Sequence, residues 1–285
     1  EAGRWRVAPA SGPARSPRRF RDEEARGGKG MTQWIRYAEG GVAGFGTLEG
    51  TQITAYAGDM FDSPRPTGRT LALGAVVVLT PTAAGKMIAL WNNFRALAAK
   101  LGNSVPTEPL YFIKGNNSYL ATSQTIRMPR SYSGKVVYEG ELGVVIGKSC
   151  RAVTEAEAQR NIFGYTCIND VTANDILNRD VSFAQWTRAK SFDTFGVFGP
   201  VVATDLDPMR LTVRTVLNDQ ERQNYPASDM VFPPARLVSL ISQDMTLDPG
   251  DVIACGTSIG VGSMKPGSTV AVSIDGIGTR INRFE

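Results

Sequence analysis

Between Val136 and Lys148 the chain reads Val-Val-Tyr-Glu-Gly-Glu-Leu-Gly-Val-Val-Ile-Gly-Lys, a β-branched run with two carboxylates where a buried strand should have none. Side chains two apart in a strand share a face, so Glu139 and Glu141 stand side by side, flanked there by Val137, Gly143 and Val145. Two adjacent carboxylates in apolar surroundings repel each other and lose solvation, which drives at least one to take up a proton. A hard cation removes both penalties. The pair therefore predicts a divalent metal site, and with it an enzyme.

The chain has no histidine. That excludes Ser-His-Asp and Cys-His catalysis, histidine-ligated zinc and any histidine general base. Carboxylate, lysine and metal chemistry are left. Three cysteines, Cys150, Cys167 and Cys255, have no CxxC spacing and read as small apolar residues of a reduced, cytoplasmic protein.

With 285 residues, 42% hydrophobic and 20% charged, the chain can bury a sizeable core. No apolar run is long enough for a membrane span and nothing resembles a secretory signal, so no membrane association is expected. The formal charge of +4 comes entirely from residues 1–30, where eight Arg and Lys face four acidic residues. The remainder is neutral, which gives no support to a nucleic-acid groove. Residues 1–30 are rich in Arg, Pro, Gly and Ala and read as a disordered basic tail or an upstream extension, since Met31 opens a stretch that looks like a conventional start. An Arg-rich organellar presequence is the alternative, and Asp22-Glu23-Glu24 argues against it.

Short apolar or alternating runs (Val42–Leu48, Gln52–Tyr56, Ala75–Leu79) predict a small β-rich N-terminal domain over residues 31–87, with a boundary near Pro81 to Lys86. Residues 88–285 are expected to form a second domain that carries the metal site. Ile88 to Leu101 has helical spacing, with Leu90, Phe94, Leu97 and Leu101 on one stripe. Thr154-Glu-Ala-Glu157 is a capping box for a helix running towards Phe163, and Pro233-Pro234-Ala235 opens a second with Leu237, Leu240 and Ile241 on one face. Ile176 to Trp186 reads as a mobile loop. Strands are expected over Asp251–Cys255 and Thr269–Ile274, the latter ahead of an Asp275-Gly276 hairpin turn.

A third carboxylate, Asp170, falls at the end of a strand around Tyr165 to Ile168. Two glutamates from one strand and an aspartate from the next supply three oxygen ligands for Mg²⁺ or Mn²⁺, leaving other positions for water and substrate. On spacing alone a second reading stays open, in which Glu139 and Glu141 line a solvated edge strand and Asp170 caps a turn.

Five segments in register, over roughly residues 88–285, resemble the fumarylacetoacetate hydrolase superfamily. They are Tyr138-Glu-Gly-Glu141-Leu-Gly-Val-Val-Ile-Gly-Lys148, Asn169-Asp170-Val-Thr-Ala-Asn-Asp175, Arg188-Ala-Lys190-Ser-Phe-Asp193-Thr-Phe-Gly196, Gly250-Asp-Val-Ile-Ala-Cys-Gly256-Thr257 and Lys265-Pro-Gly267. The resemblance implies a mainly β fold with some α, a mixed β-roll of that family's C-terminal type behind the small N-terminal domain, assembled as a homodimer. It implies Glu139, Glu141 and Asp170 as metal ligands for Mg²⁺ or Mn²⁺, and Lys190 beside the metal to hold an enolate or move a proton. Thr257 would donate its hydroxyl and backbone N–H to a substrate carboxylate, and Asn93 and Lys100 belong to the lid segment facing the substrate.

Two departures bear on chemistry. Hydrolases and decarboxylases of the family commonly carry Asn-Tyr-x-x-His-x-x-Glu on a short lid helix, whereas this chain has Asn93-Phe-Arg-Ala-Leu97-Ala-Ala-Lys100. In the Asp170 motif, Asn174 stands for the usual arginine and Leu177 for the usual glutamine. Leucine moves no proton, so the expectation is isomerisation or decarboxylation of a small 2-oxo or 2-hydroxy-dienoic diacid of aromatic catabolism, such as 2-hydroxyhepta-2,4-diene-1,7-dioate. The alternatives are a C–C bond hydrolase of an acylpyruvate and a non-catalytic protein that binds a metal–oxoacid complex. The pocket for the substrate's distal group is expected around residues 91–105 and 176–187.

Overall fold

The computed structural model describes residues 31–285, so the expected disorder of residues 1–30 lies outside the described residues. The fold is mainly β, with short helices set between strands. Its main sheet runs in the order Asp62–Ala72, Gln52–Asp59, Val42–Glu49, Gln33–Glu39, Gly196–Ala203, Ile162–Asp170, Gly140–Ile146, Val252–Ala254, Met87–Trp91 and Leu110–Lys114. A five-stranded sheet (Gln220–Pro226, Thr212–Leu217, Thr269–Ile274, Gly278–Phe284, Thr125–Ile126) covers part of one face, and Val136–Tyr138 pairs with Thr172–Ala173 and Gly262–Met264 in a third. Neither large sheet closes into a barrel.

The strand Gly140–Ile146 lies at the centre, and every residue of it is buried. Its even side chains Leu142, Val144 and Ile146 join Val213, Val272 and Ile274 of the five-stranded sheet and Leu237, Val238 and Ile241 of the helix Pro234–Asp244 in one core. Its odd side turns to a second core with Ile168, Phe198, Phe112 and Met87. Glu141 points that way. Gly143 is required there, since a Cβ would sit 2.5 Å from Ile168 Cδ1.

The capping box forms as expected, with Thr154 and Glu157 bonding reciprocally, though the helix ends at Asn161. The proline-opened helix also forms, over Pro234–Asp244. Four features differ. The helical stripe over Ile88–Leu101 splits into the strand Met87–Trp91 and a helix covering only Arg95–Leu101. Met87 to Leu90 are all buried because the strand is interior, and a short run buried on both faces has no period to reveal it. Asp62–Ala72 forms an eleven-residue strand despite Pro64 and Pro66, which suits its place at the sheet edge. The run Ala75–Leu79 gives only a two-residue strand, Val77–Val78. The loop over Ile176–Trp186 is flanked by short helices, Asn174–Leu177 and Trp186–Lys190.

Candidate metal centre

The expected continuous strand is interrupted at Glu139, between Val136–Tyr138 and Gly140–Ile146, which belong to different sheets. The carboxylates still converge. Gly140 pairs with Asn169 and Glu141 with Ile168, and the Asp170 N–H donates to the Glu139 carbonyl at 2.9 Å. Glu139 and Asp170 are thus cross-strand neighbours, and Glu141 is two residues along from Glu139. One ligand oxygen from each of Glu139, Glu141 and Asp170 lies within 4.8 Å of the others.

Two lysines meet this cluster. Lys190, at the end of the helix Trp186–Lys190, donates to Glu139 Oε2 at 2.8 Å and to Asp170 Oδ2 at 2.6 Å. Lys114, closing the strand Leu110–Lys114, donates to Asp170 Oδ1 and, at 3.3 Å, to the Val171 carbonyl. Thr172 Oγ1 donates to Glu139 Oε1 at 2.6 Å, and the Gly256 N–H to Glu141 Oε2 at 2.8 Å. Glu141 Oε1 is buried and has no partner among the described residues.

Burial dominates the electrostatics. It pushes the Glu141 carboxyl well above its ordinary value, with Asp170 and Glu139 adding repulsion. Burial alone would raise Asp170 too, but Lys114 and Lys190 hold it below the usual range. Burial pushes Lys114 down despite Asp170. For Lys190 the carboxylates of Asp170, Glu139 and Glu141 outweigh burial, and its ammonium is held above its ordinary value. Like charges at such separations cost about 4 kcal/mol per pair at an effective dielectric near 20. With Glu141 in the ionised form that a cation would bind, three carboxylates and two ammonium groups leave one net negative charge, and Glu141 Oε1 is an unspent hard donor. The donor set therefore fits a divalent, oxygen-preferring cation.

Thr257 is buried, and its hydroxyl donates to the Gly140 carbonyl at 2.9 Å rather than pointing to open space. Asn93 spends its amide on backbone: Nδ2 donates to the carbonyls of Cys255 and Phe232, and Oδ1 accepts from the Phe232 N–H. Lys100 is exposed on the helix Arg95–Leu101 and forms no ion pair with the cluster. Leu97 packs against the main core. The sequence reading did not single out Lys114, Thr172, Gln223 or Tyr225. Lys114 shares a strand face with Phe112, which lies under Lys190, 5.3 Å from Nζ.

Beside Phe112 an aromatic cleft of about 390 Å³ is lined by Trp91, Pro109, Leu110, Tyr111, Phe112 and Trp186. Trp186 stacks on Phe112 and meets Trp91, both at 5.2 Å between ring centroids.

This fold and its buried acidic cluster define a β-sheet protein with a candidate divalent-metal centre. Residues 86–285 match the family model "Fumarylacetoacetate (FAA) hydrolase C-terminal", and residues 32–81 match "Rv2993c-like, N-terminal". The chain belongs to the fumarylacetoacetate hydrolase superfamily. It is 42% identical to Protein Rv2993c of Mycobacterium tuberculosis over 78% of this chain and 83% of that protein. Among solved structures it is similar to 2-hydroxyhepta-2,4-diene-1,7-dioate isomerase from Mycobacterium marinum, with 37% identity and a TM-score of 0.81 over 89% of this chain and 98% of that one. It is also similar to 5-carboxymethyl-2-hydroxymuconate delta-isomerase from Mycobacterium smegmatis, with 38% identity and a TM-score of 0.82 over 88% and 98% of the two chains.

Proposed function

We propose that the protein is a Mg²⁺- or Mn²⁺-dependent enzyme that isomerises a small 2-oxo or 2-hydroxy-dienoic diacid, with decarboxylation as the related reaction. The observation that carries this reading is the convergence of Glu139, Glu141 and Asp170 on two buried lysines, with one glutamate oxygen unpartnered. The three carboxylates would hold the cation, which when bound supplies Lewis-acid polarisation of substrate oxygens. One net negative charge in the cluster becomes one net positive charge with a divalent cation, which favours an anionic ligand such as a carboxylate. Lys190, held as an ammonium, would donate towards the enolate oxygen left when the dienol gives up its hydroxyl proton. Lys114 keeps Asp170 ionised and fixed. Ketonisation of the dienol loses the hydroxyl proton from oxygen and adds one to carbon, with exchange through solvent, so no net water or redox partner is consumed.

Isomerisation is favoured over hydrolysis by the lid. Leu97 is packed on the core and Lys100 is exposed, so neither supports activation of an attacking water there. Similarity to the two isomerases named above, from Mycobacterium marinum and Mycobacterium smegmatis, supports the same class of substrate. The test is loss of dienol absorbance from dienoic diacids with and without Mg²⁺, in the wild type and in Glu141→Gln. Metal-dependent conversion without cleavage products is expected. Turnover unaffected by Glu141→Gln would sink the mechanism, and pyruvate release would move the reading to hydrolysis.

A further inference from the structure

Two carboxylates of the cluster flank one residue, Gly140, whose N–H and carbonyl are both held by side chains. Beyond Leu142 no strand continues on the edge of Gly140–Ile146 that faces Val252–Ala254. Side chains replace it at Gly140. The Gly140 N–H donates to Gln223 Oε1 at 2.9 Å, and its carbonyl accepts from the hydroxyls of Thr257, at 2.9 Å, and Tyr225. Gln223 Nε2 donates to Thr257 Oγ1 at 2.9 Å, which closes a ring through Gly140, Gln223 and Thr257. Thr215 Oγ1 donates to Gln223 Oε1 at 2.8 Å and fixes its amide. All four side chains are buried. A Cβ on Gly140 would lie 2.0 Å from Thr215 Oγ1, so the clamp closes only on glycine.

We propose that Gln223 and Tyr225 are positioning residues that set the spacing of Glu139 and Glu141 for the cation, acting through the Gly140 peptide. The proposal rests on the metal reading above. Neither residue touches a carboxylate of the cluster by a hydrogen bond; they hold the backbone between two of them. Outer partners of this kind tune affinity by fixing ligand orientation.

The experiment titrates the full chain with Mn²⁺, following free Mn²⁺ by electron paramagnetic resonance, and measures urea unfolding in a chelator. The variants are Gln223→Met, Tyr225→Phe, Gln223→Glu and, for the metal reading itself, Glu141→Gln. Gln223→Met is expected to raise the Mn²⁺ Kd by roughly 10–100-fold, and Tyr225→Phe to raise it in the same direction. Gln223→Glu, which keeps an acceptor for the Gly140 N–H, is expected to recover most of the affinity. The metal-free unfolding midpoint should move far less than the affinity. Tyr225→Phe deletes a single oxygen and decides the matter even if Gln223→Met does not fold. Affinities equal to wild type in the folded clamp variants, or losses that merely track metal-free stability, overturn the proposal. A wild type that binds no Mn²⁺ overturns the metal reading instead, whereas binding lost in Glu141→Gln but intact in the clamp variants overturns the clamp alone.

Discussion

Lys114 donates to Asp170 Oδ1 from a side chain with no exposure to solvent, and Asp170 is itself 1% exposed. A lysine so placed is tolerated because its partner is charged, and the partner stays charged because this lysine and Lys190 are both there. Lys114→Met breaks this dependence. It should destabilise the metal-free protein by about 3–5 kcal/mol, as expected when one member of a buried ion pair is removed. Urea unfolding in a chelator measures this, and the double variant Lys114→Met/Asp170→Asn should recover part of the loss. An unchanged midpoint in the single variant would mean that Asp170 has sufficient counter-charge in Lys190 alone.

Metal uptake should release a proton. Burial, with Asp170 and Glu139 beside it, raises the Glu141 carboxyl well above its ordinary 4.5, so the metal-free native state holds a proton there that the unfolded chain has already lost. The stability linked to that proton is fully present below the ordinary value and is lost as pH rises through the native one. Mn²⁺ or Mg²⁺ binds the carboxylate form, so affinity rises with pH over the same window. Calorimetry in buffers of different ionisation enthalpy should give enthalpies that vary with the buffer. Identical enthalpies would show that Glu141 is already ionised before binding.

Lys190 donates to both Glu139 and Asp170, which are also candidate metal ligands. Lys190→Met should therefore separate binding from chemistry. Removing a competing cation should tighten Mn²⁺ binding, while turnover of dienoic diacids should fall by roughly 10²–10³-fold, the usual cost of removing one donor to a developing oxyanion. A variant that lost both together would indicate that Lys190 holds the centre open instead.

Arg280 lies on the strand Gly278–Phe284 with no exposed surface. Its Nη1 donates to Asn282 Oδ1, but Nε and Nη2 find no partner among the described residues, and burial pulls the guanidinium down to about 9. Buried donors left unmade cost about 1–3 kcal/mol each. Arg280→Met keeps the length and removes the charge, and should raise stability by about 1–3 kcal/mol, read as a higher urea midpoint. A fall would point to a partner that satisfies the guanidinium in solution.

What the sequence made legible follows from how local each signal is. Glu139, Glu141 and Asp170 could be brought together by strand period and a neighbouring strand end, and they do converge. The capping box at Thr154 and the proline start at Pro234 are purely local, and both helices form. Lys114 was not legible because its meaning depends on a strand order that places Leu110–Lys114 at the far edge of the sheet, and on a contact 56 residues away. Gln223 and Tyr225 lie on an otherwise polar, half-exposed strand whose pattern reads as an ordinary solvated face. The same local ambiguity turned the strand Met87–Trp91 into part of an expected helix.

Glu141 and Asp170 come from paired strands and Glu139 from the break just before one of them, with Gly140 opposite Asn169 and Glu141 opposite Ile168. A slip of one residue in that ladder would turn an entire strand's side chains to the other face and scatter the ligands. A chain caught in such a misregister would have hydrogen bonds and a collapsed interior but no grip on a cation. The metal stoichiometry of a purified sample would then act as a census of correctly threaded molecules, and an ion present during refolding would reward only the right register.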